Sequence, residues 1–115
     1  QFVDAFSGLG MTRRIAADVK SHINDEFARC ILALYRDAAQ PAMVAVGKQF
    51  VAAQPKNGLV IIAEGDHFAG SLETMTAVAN SVGAGIAVLP EVGHWWMCQR
   101  PDLGADMLMA HWASV

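Results

Sequence analysis

Residues Leu59-Val60-Ile61-Ile62-Ala63 form an unbroken apolar run, preceded by the polar stretch Gln54-Pro55-Lys56-Asn57-Gly58 and followed by Glu64-Gly65-Asp66. Nothing else in the chain restricts the fold as strongly. The run is too short for a typical helix and shows no polar–apolar alternation, so it has the pattern of a strand covered by helices on both faces, as in a parallel sheet. Ser71 then suits the cap of a helix reaching about Val82, with Leu72, Met75, Val78 and Val82 turned inward. Gly83 and Gly85 release the chain into a second apolar run, Ile86 to Leu89. Strand, helix and strand in this order imply a right-handed crossover, which makes the strands neighbours with their carboxyl ends on the same side. The expected fold class is α/β.

The remaining sequence reads as helices. Thr12 caps a helix from Arg13 to about Ser21, and Asn24 caps a second, with Asp25 and Glu26 at its positive end. In that second helix Phe27, Cys30, Ile31, Leu34 and Ala38 share one face and are expected to form a buried stripe. Pro41 suits the first turn of a third helix carrying Met43, Val46, Phe50 and Val51. Pro101 opens a last helix to about Ala113, with Leu103, Met107, Leu108 and Trp112 available for packing. Two parallel strands do not make a stable sheet alone, so something further is expected to complete it: upstream chain or self-association.

A chain of 115 residues encloses one modest core. Its 54% hydrophobic and 17% charged residues suggest that some apolar surface is meant for a partner or for further chain. The net charge of -3, with Arg13 and Arg14 the one adjacent basic pair, argues against nucleic acid or an anionic membrane as partner. No stretch approaches the length of a membrane span and no signal-peptide pattern opens the sequence, so the default location is cytoplasmic. The opening at Gln1 is the kind a processed or excised piece would have. Cys30 and Cys98 stand in unrelated settings, so a disulfide between them is not expected, and neither has metal-ligand spacing. No cofactor is implied.

Polar residues cluster just past both strands: Glu64-Gly65-Asp66-His67-Phe68 after the first, Glu91-Val92-Gly93-His94-Trp95-Trp96 after the second. Open parallel sheets place their chemistry at such strand ends. A histidine acts as a general base in one tautomer, and a carboxylate accepting its Nδ1 proton fixes that tautomer and stabilises the imidazolium. Asp66 and His94 are therefore the candidate catalytic pair, Asp66 orienting and His94 moving protons. The plainer alternative makes Asp66 a turn residue and His94 a loop residue. His67, Phe68 and Trp95 are candidates for lining a substrate pocket, although loop exposure or packing explains each of them equally simply. His22 and His111 fall within helices, and Glu64 and Glu91 flank the strand ends without further signal.

From Gly58 onward the sequence resembles the final part of an α/β-hydrolase fold enzyme. The resemblance rests on the strand leading into Asp66-His67-Phe68, the amphipathic helix, the strand ending in Leu89-Pro90, the pair Gly93-His94, and Arg100-Pro101 before the last helix. Residues Asn24 to Ala53 are more loosely similar to the end of that family's lid and its return to the sheet, on Ile31-Leu32-Ala33-Leu34-Tyr35-Arg36. The resemblance implies that residues 1–40 end a helical lid and that 41–115 are the C-terminal part of the core. It gives Asp66 the acid position and His94 the base position of a catalytic triad for hydrolysis of an ester or related bond. The partner it implies is a small-molecule substrate.

The family's nucleophile sits in a GxSxG-type elbow, or is an aspartate in the haloalkane dehalogenase and epoxide hydrolase branches. The sequence contains no such elbow. Ser81 precedes a strand rather than following one, and Ser7 lacks the glycine two residues before it. The nucleophile is thus expected outside this chain, and the chain alone is expected to be inactive. A noncatalytic assembly module with a hydrolase-like half-fold is the alternative.

Overall fold

The computed structural model describes residues 1–115 as a mixed α/β chain. Helices α1 (Phe2–Gly8), α2 (Arg13–His22), α3 (Asp25–Asp37) and α4 (Ala42–Ala53) come first. Strand β1 (Leu59–Ala63), helix α5 (Leu72–Val82), strand β2 (Gly85–Leu89), the short α6 (Trp96–Gln99) and α7 (Pro101–Ala113) follow. No helix is long and apolar enough to cross a membrane.

The local signals explain most of these boundaries. The Thr12 hydroxyl accepts from the Ile15 N–H, the Asn24 side chain from the Phe27 N–H, and the Ser71 hydroxyl from the Thr74 N–H. Each satisfies a donor that a helix start leaves without an intrahelical partner. Gly83 ends α5 in the left-handed region at φ 67°, which glycine adopts without a Cβ penalty. Pro41 stands one residue before α4 rather than in its first turn. The sequence reading does not contain α1 or α6. Helix α1 is closed by reciprocal bonds between Gln1 and Asp4 and by stacking of Phe2 on Phe6, one turn apart.

The two strands pair in parallel, with Leu59 beside Gly85 and Ala63 beside Leu89. Helix α5 packs on both strands and α7 on β2, while α1 packs on α2 and α6 on α7. The core is small: Ile62, Ala79, Val82, Leu89 and Val92 around the sheet, with Met11 and Ala16 in the α1–α2 corner. Ring atom Nε2 of His111, in α7, lies 3.0 Å from the Asn57 carbonyl oxygen, tying the last helix to the loop before β1.

The expected buried stripe on α3 is not buried. Phe27, Ile31 and Leu34 are all exposed, Leu34 to 66%, and on α4 Met43, Val46, Phe50 and Val51 are exposed as well. The helix forms as the apolar spacing predicts, but no element of the chain lies against that face. On α5, Val82 is buried and Met75 half-buried, whereas Leu72 and Val78 face solvent. Strand β2 is likewise open, with Ile86 and Val88 exposed. The accessible surface of 8265 Å² exceeds the ~6,100 Å² typical of a compact monomer of this mass. The radius of gyration, 16.5 Å, exceeds the ~13 Å of a compact domain of this length.

Candidate active site

Main-chain pairing does not stop where the strands stop. The Glu64 N–H donates to the Leu89 carbonyl at 3.0 Å, and the Gly65 N–H donates to the Val92 carbonyl at 2.8 Å. These bonds lace the loop after β1 to the loop after β2. A Cβ at Gly65 would lie 2.9 Å from the Val92 oxygen, so the approach depends on glycine there. Asp66 stands one residue beyond Gly65, and His94 two beyond Val92.

The structure brings those two side chains together: His94 Nδ1 lies 3.0 Å from Asp66 Oδ2. The other carboxylate oxygen, Oδ1, accepts from the Phe68 N–H at 2.8 Å and the Ala69 N–H at 3.4 Å. Asp66 is thereby fixed by its own turn before it meets the histidine. Its side chain is 11% exposed, against 43% for His94. Burial pushes the Asp66 pKa up, but the Phe68 N–H, the His94 ring and the Ala69 N–H together outweigh it and leave it below the usual carboxylate value. An ionised Asp66 only accepts hydrogen bonds, so the proton between the two groups belongs to Nδ1. That assigns the lone pair to Nε2, on the side of the ring away from Asp66, where a base would use it.

Further contacts hold the histidine loop. The Gln99 side chain reaches back from α6 and its Oε1 accepts from the Gly93 N–H at 2.7 Å. Phe68 and Trp95 stand edge-on to the His94 ring, with centroids 5.3 and 5.2 Å away. Phe6 of α1 packs against Trp95 at 5.8 Å, so the first helix joins the wall of the site.

Two recesses meet at His94. One, of about 440 Å³, is lined by Phe6, Leu9, Tyr35, Phe68, His94 and Trp95 and has no charged carboxylate or ammonium in its wall. The other, of about 480 Å³, has Ser7, Gly65, His67, Glu91, Gly93 and Gln99 among its lining residues beside His94. Ser7 and Trp95 each keep a buried polar atom, Oγ and Nε1, without a hydrogen-bond partner.

Of the five residues singled out by sequence, His94 and Phe68 line both recesses, Trp95 lines the apolar one and His67 the polar one, while Asp66 bonds to the His94 ring and the Phe68 N–H. Ser81 donates its hydroxyl to the Val78 carbonyl within α5, at the helix end that leads into β2 and away from the strand tips. Ser7 shares the polar recess with His94, but it lies inside α1 and no hydrogen bond joins the two. Both cysteines are free, and no three His, Cys, Asp or Glu side chains are grouped as a metal site.

Gln99, Tyr35, Phe6 and Leu9 are site residues that sequence reasoning missed. Gln99 is an unremarked polar residue in a four-residue helix, and nothing in its spacing signals a bond back to Gly93. Tyr35 lies on the exposed side of α3, and its place in the recess depends on how α3 is set against the loops. Comparison with protein-family models, with curated proteins and with solved structures finds no match to this chain.

Proposed function

We propose that this chain is the C-terminal portion of an α/β-hydrolase fold and contributes the acid, Asp66, and the general base, His94, of a catalytic triad for hydrolysis of an ester or related bond. The observation that carries the reading is the Nδ1–Oδ2 contact of 3.0 Å at the carboxyl ends of two adjacent parallel strands. Its support is chemical. Asp66 is ionised, turn-fixed and shielded, and His94 meets it through Nδ1 while its side chain is 43% exposed.

In this reading the nucleophile comes from residues outside the chain. Nε2 of His94 takes the nucleophile's proton as its oxygen attacks the carbonyl carbon, and the resulting imidazolium is stabilised by Asp66. The same proton then passes to the departing alcohol. Water is activated by Nε2 in the second half-reaction, releases the acid and restores the nucleophile. With an aspartate nucleophile, His94 would act on water alone and the substrate class would shift to haloalkanes or epoxides.

The test is ester turnover by the full-length protein that carries this chain, with His94→Ala and Asp66→Asn compared against wild type. Loss of hydrolysis in His94→Ala is expected, and full turnover by that variant refutes the assignment. A second reading, a noncatalytic assembly module, is favoured by the exposed apolar faces of α3 and α4. It requires a stable complex that survives replacement of both Asp66 and His94 and has no esterase activity.

A further inference from the structure

The two recesses that meet at His94 share Leu9 and Phe68 but differ in their remaining walls, aromatic in one and largely polar in the other. We propose that the site takes a two-sided, non-anionic substrate, whose apolar, aromatic-sized half occupies the recess of Phe6, Leu9, Tyr35, Phe68 and Trp95 and whose hydrogen-bonding half lies toward Glu91, His67 and Gln99. This inference rests on the hydrolytic reading of the same site and adds the substrate class.

Three observations carry it. The apolar recess, about 440 Å³, lies within the size range of small-molecule sites, and four of its lining residues are aromatic, with His94 the one polar neighbour. Phe68 and Trp95 present their rings to this space while standing edge-on to the imidazole, so a flat apolar group beside them would stack or pack edge-to-face within reach of the base. Phe68 is 68% exposed and Tyr35 72%. An apolar ligand half would remove that surface from water.

The adjoining recess, about 480 Å³, has glycines 65 and 93, the Gln99 amide, His67 and the Glu91 carboxylate beyond the Leu9 and Phe68 wall that the two share. Such walls offer hydrogen bonds to hydroxyl or amide groups. A carboxylate or phosphate in the substrate's second half would meet Glu91 and the ionised Asp66 behind the histidine, so anionic substrates are disfavoured. Neutral or cationic polar groups are accepted.

The experiment uses the full-length protein and separates binding from turnover. The binding probe is N-(2-hydroxyethyl)-3-phenylpropanamide, a non-hydrolysed amide with one aromatic and one hydroxylated end, followed by titration calorimetry. It is compared with N-(2-hydroxyethyl)acetamide, which lacks the ring, and with N-(3-phenylpropanoyl)glycine, which replaces the hydroxyl by a carboxylate. The aromatic probe is expected to bind at least about tenfold more tightly than either, a ratio equal to about 1.4 kcal/mol. Phe68→Ala, at an exposed position whose loss does not endanger the fold, is expected to weaken the aromatic probe about tenfold, and Trp95→Ala to do the same.

Asp66→Asn separates the two ideas: it should lower turnover about 10⁴-fold while leaving the aromatic probe's affinity within about twofold, since the asparagine keeps an Oδ1 that can accept from the Phe68 N–H and hold that ring in place. Equal affinity for the aromatic and acetyl probes, or an unchanged affinity in Phe68→Ala, overturns the substrate assignment even if His94-dependent hydrolysis is intact. Tight, Phe68-dependent binding combined with full turnover in His94→Ala leaves the recess standing and removes the catalytic reading instead.

Discussion

Replacing Gly65 by alanine tests whether main-chain contact between the two loops is what holds the acid to the base. The new Cβ would sit 2.9 Å from the Val92 oxygen and 3.3 Å from its carbonyl carbon. Ordinary contact requires a few tenths of an ångström more, and the atoms in the way are backbone rather than a side chain that can turn aside. Separating the loops lengthens the Gly65-to-Val92 hydrogen bond of 2.8 Å. Overpacking of this kind costs about 1–3 kcal/mol. Alanine recovers about 0.4–1 kcal/mol by restricting the unfolded chain, so the expected net loss is about 1–2 kcal/mol. For a chain of this length 1 kcal/mol corresponds to about 4 °C, giving a drop in Tm of about 4–8 °C. The same displacement is expected to reach Asp66, one residue on, and if the proposed hydrolytic reading holds, a shift approaching 1 Å costs on the order of 100-fold in rate. Thermal unfolding followed by circular dichroism reads the first effect. The His94 Nδ1 proton resonance, which reports the bond to Asp66, reads the second. A Gly65→Ala protein with an unchanged Tm and an unchanged Nδ1 resonance would refute the reasoning.

Asp66→Asn keeps the shape of the side chain but removes the charge that selects the Nδ1–H tautomer, and on the proposed hydrolytic reading is expected to lower kcat by about 10⁴-fold; a loss under tenfold in steady-state assays counts against the triad. The same substitution carries a pH signature. The Asp66 pKa is held below its usual value, so its ionisation stabilises the fold fully above the unfolded-state value of about 3.9 and that contribution fades as pH falls through the lower native value. Urea midpoints of wild type and Asp66→Asn should therefore differ most near neutrality and converge in acid. Gly104→Ala is expected to destabilise the protein although alanine favours the helix by about 1 kcal/mol, because its Cβ would overlap the Trp96 ring. In a Trp96→Ala background the same change should be neutral or stabilising, as urea titration will show. Ser71→Ala removes the hydroxyl that caps α5 and should cost about 1 kcal/mol in the same titration.

The parts of the structure legible in the sequence are those governed by local chemistry. Thr12, Asn24, Ser71 and Gly83 mark helix ends because capping is decided within three or four residues. The apolar runs at Leu59 and Ile86 specify strands, and a strand, helix and strand in succession specify neighbouring parallel partners. The meeting of Asp66 with His94 was legible for the same reason, since topology alone delivers both to one edge. What stayed hidden depends on three-dimensional placement. Periodicity shows that Phe27, Ile31 and Leu34 share a face of α3, but not that the face is left uncovered. Helix α6 has four residues, too few for any period to emerge. The bond from Gly93 to Gln99 and the place of Tyr35 beside Phe68 belong to tertiary contacts that no spacing rule announces.

The lacing of the two loops by peptide groups has a consequence for how this site can vary. The bonds from Glu64 to Leu89 and from Gly65 to Val92 use only N–H and C=O groups, so this part of the frame that brings Asp66 to His94 does not draw on the side chains of Glu64, Leu89 or Val92. Glu64 can thus be exchanged to retune the charge of the surroundings while the Asp66–His94 pair keeps its geometry, whereas Glu91, at φ 59°, accepts few other residues than glycine, asparagine or aspartate without strain. Glycine at position 65 is the point in the junction where adding a single carbon alters the frame itself.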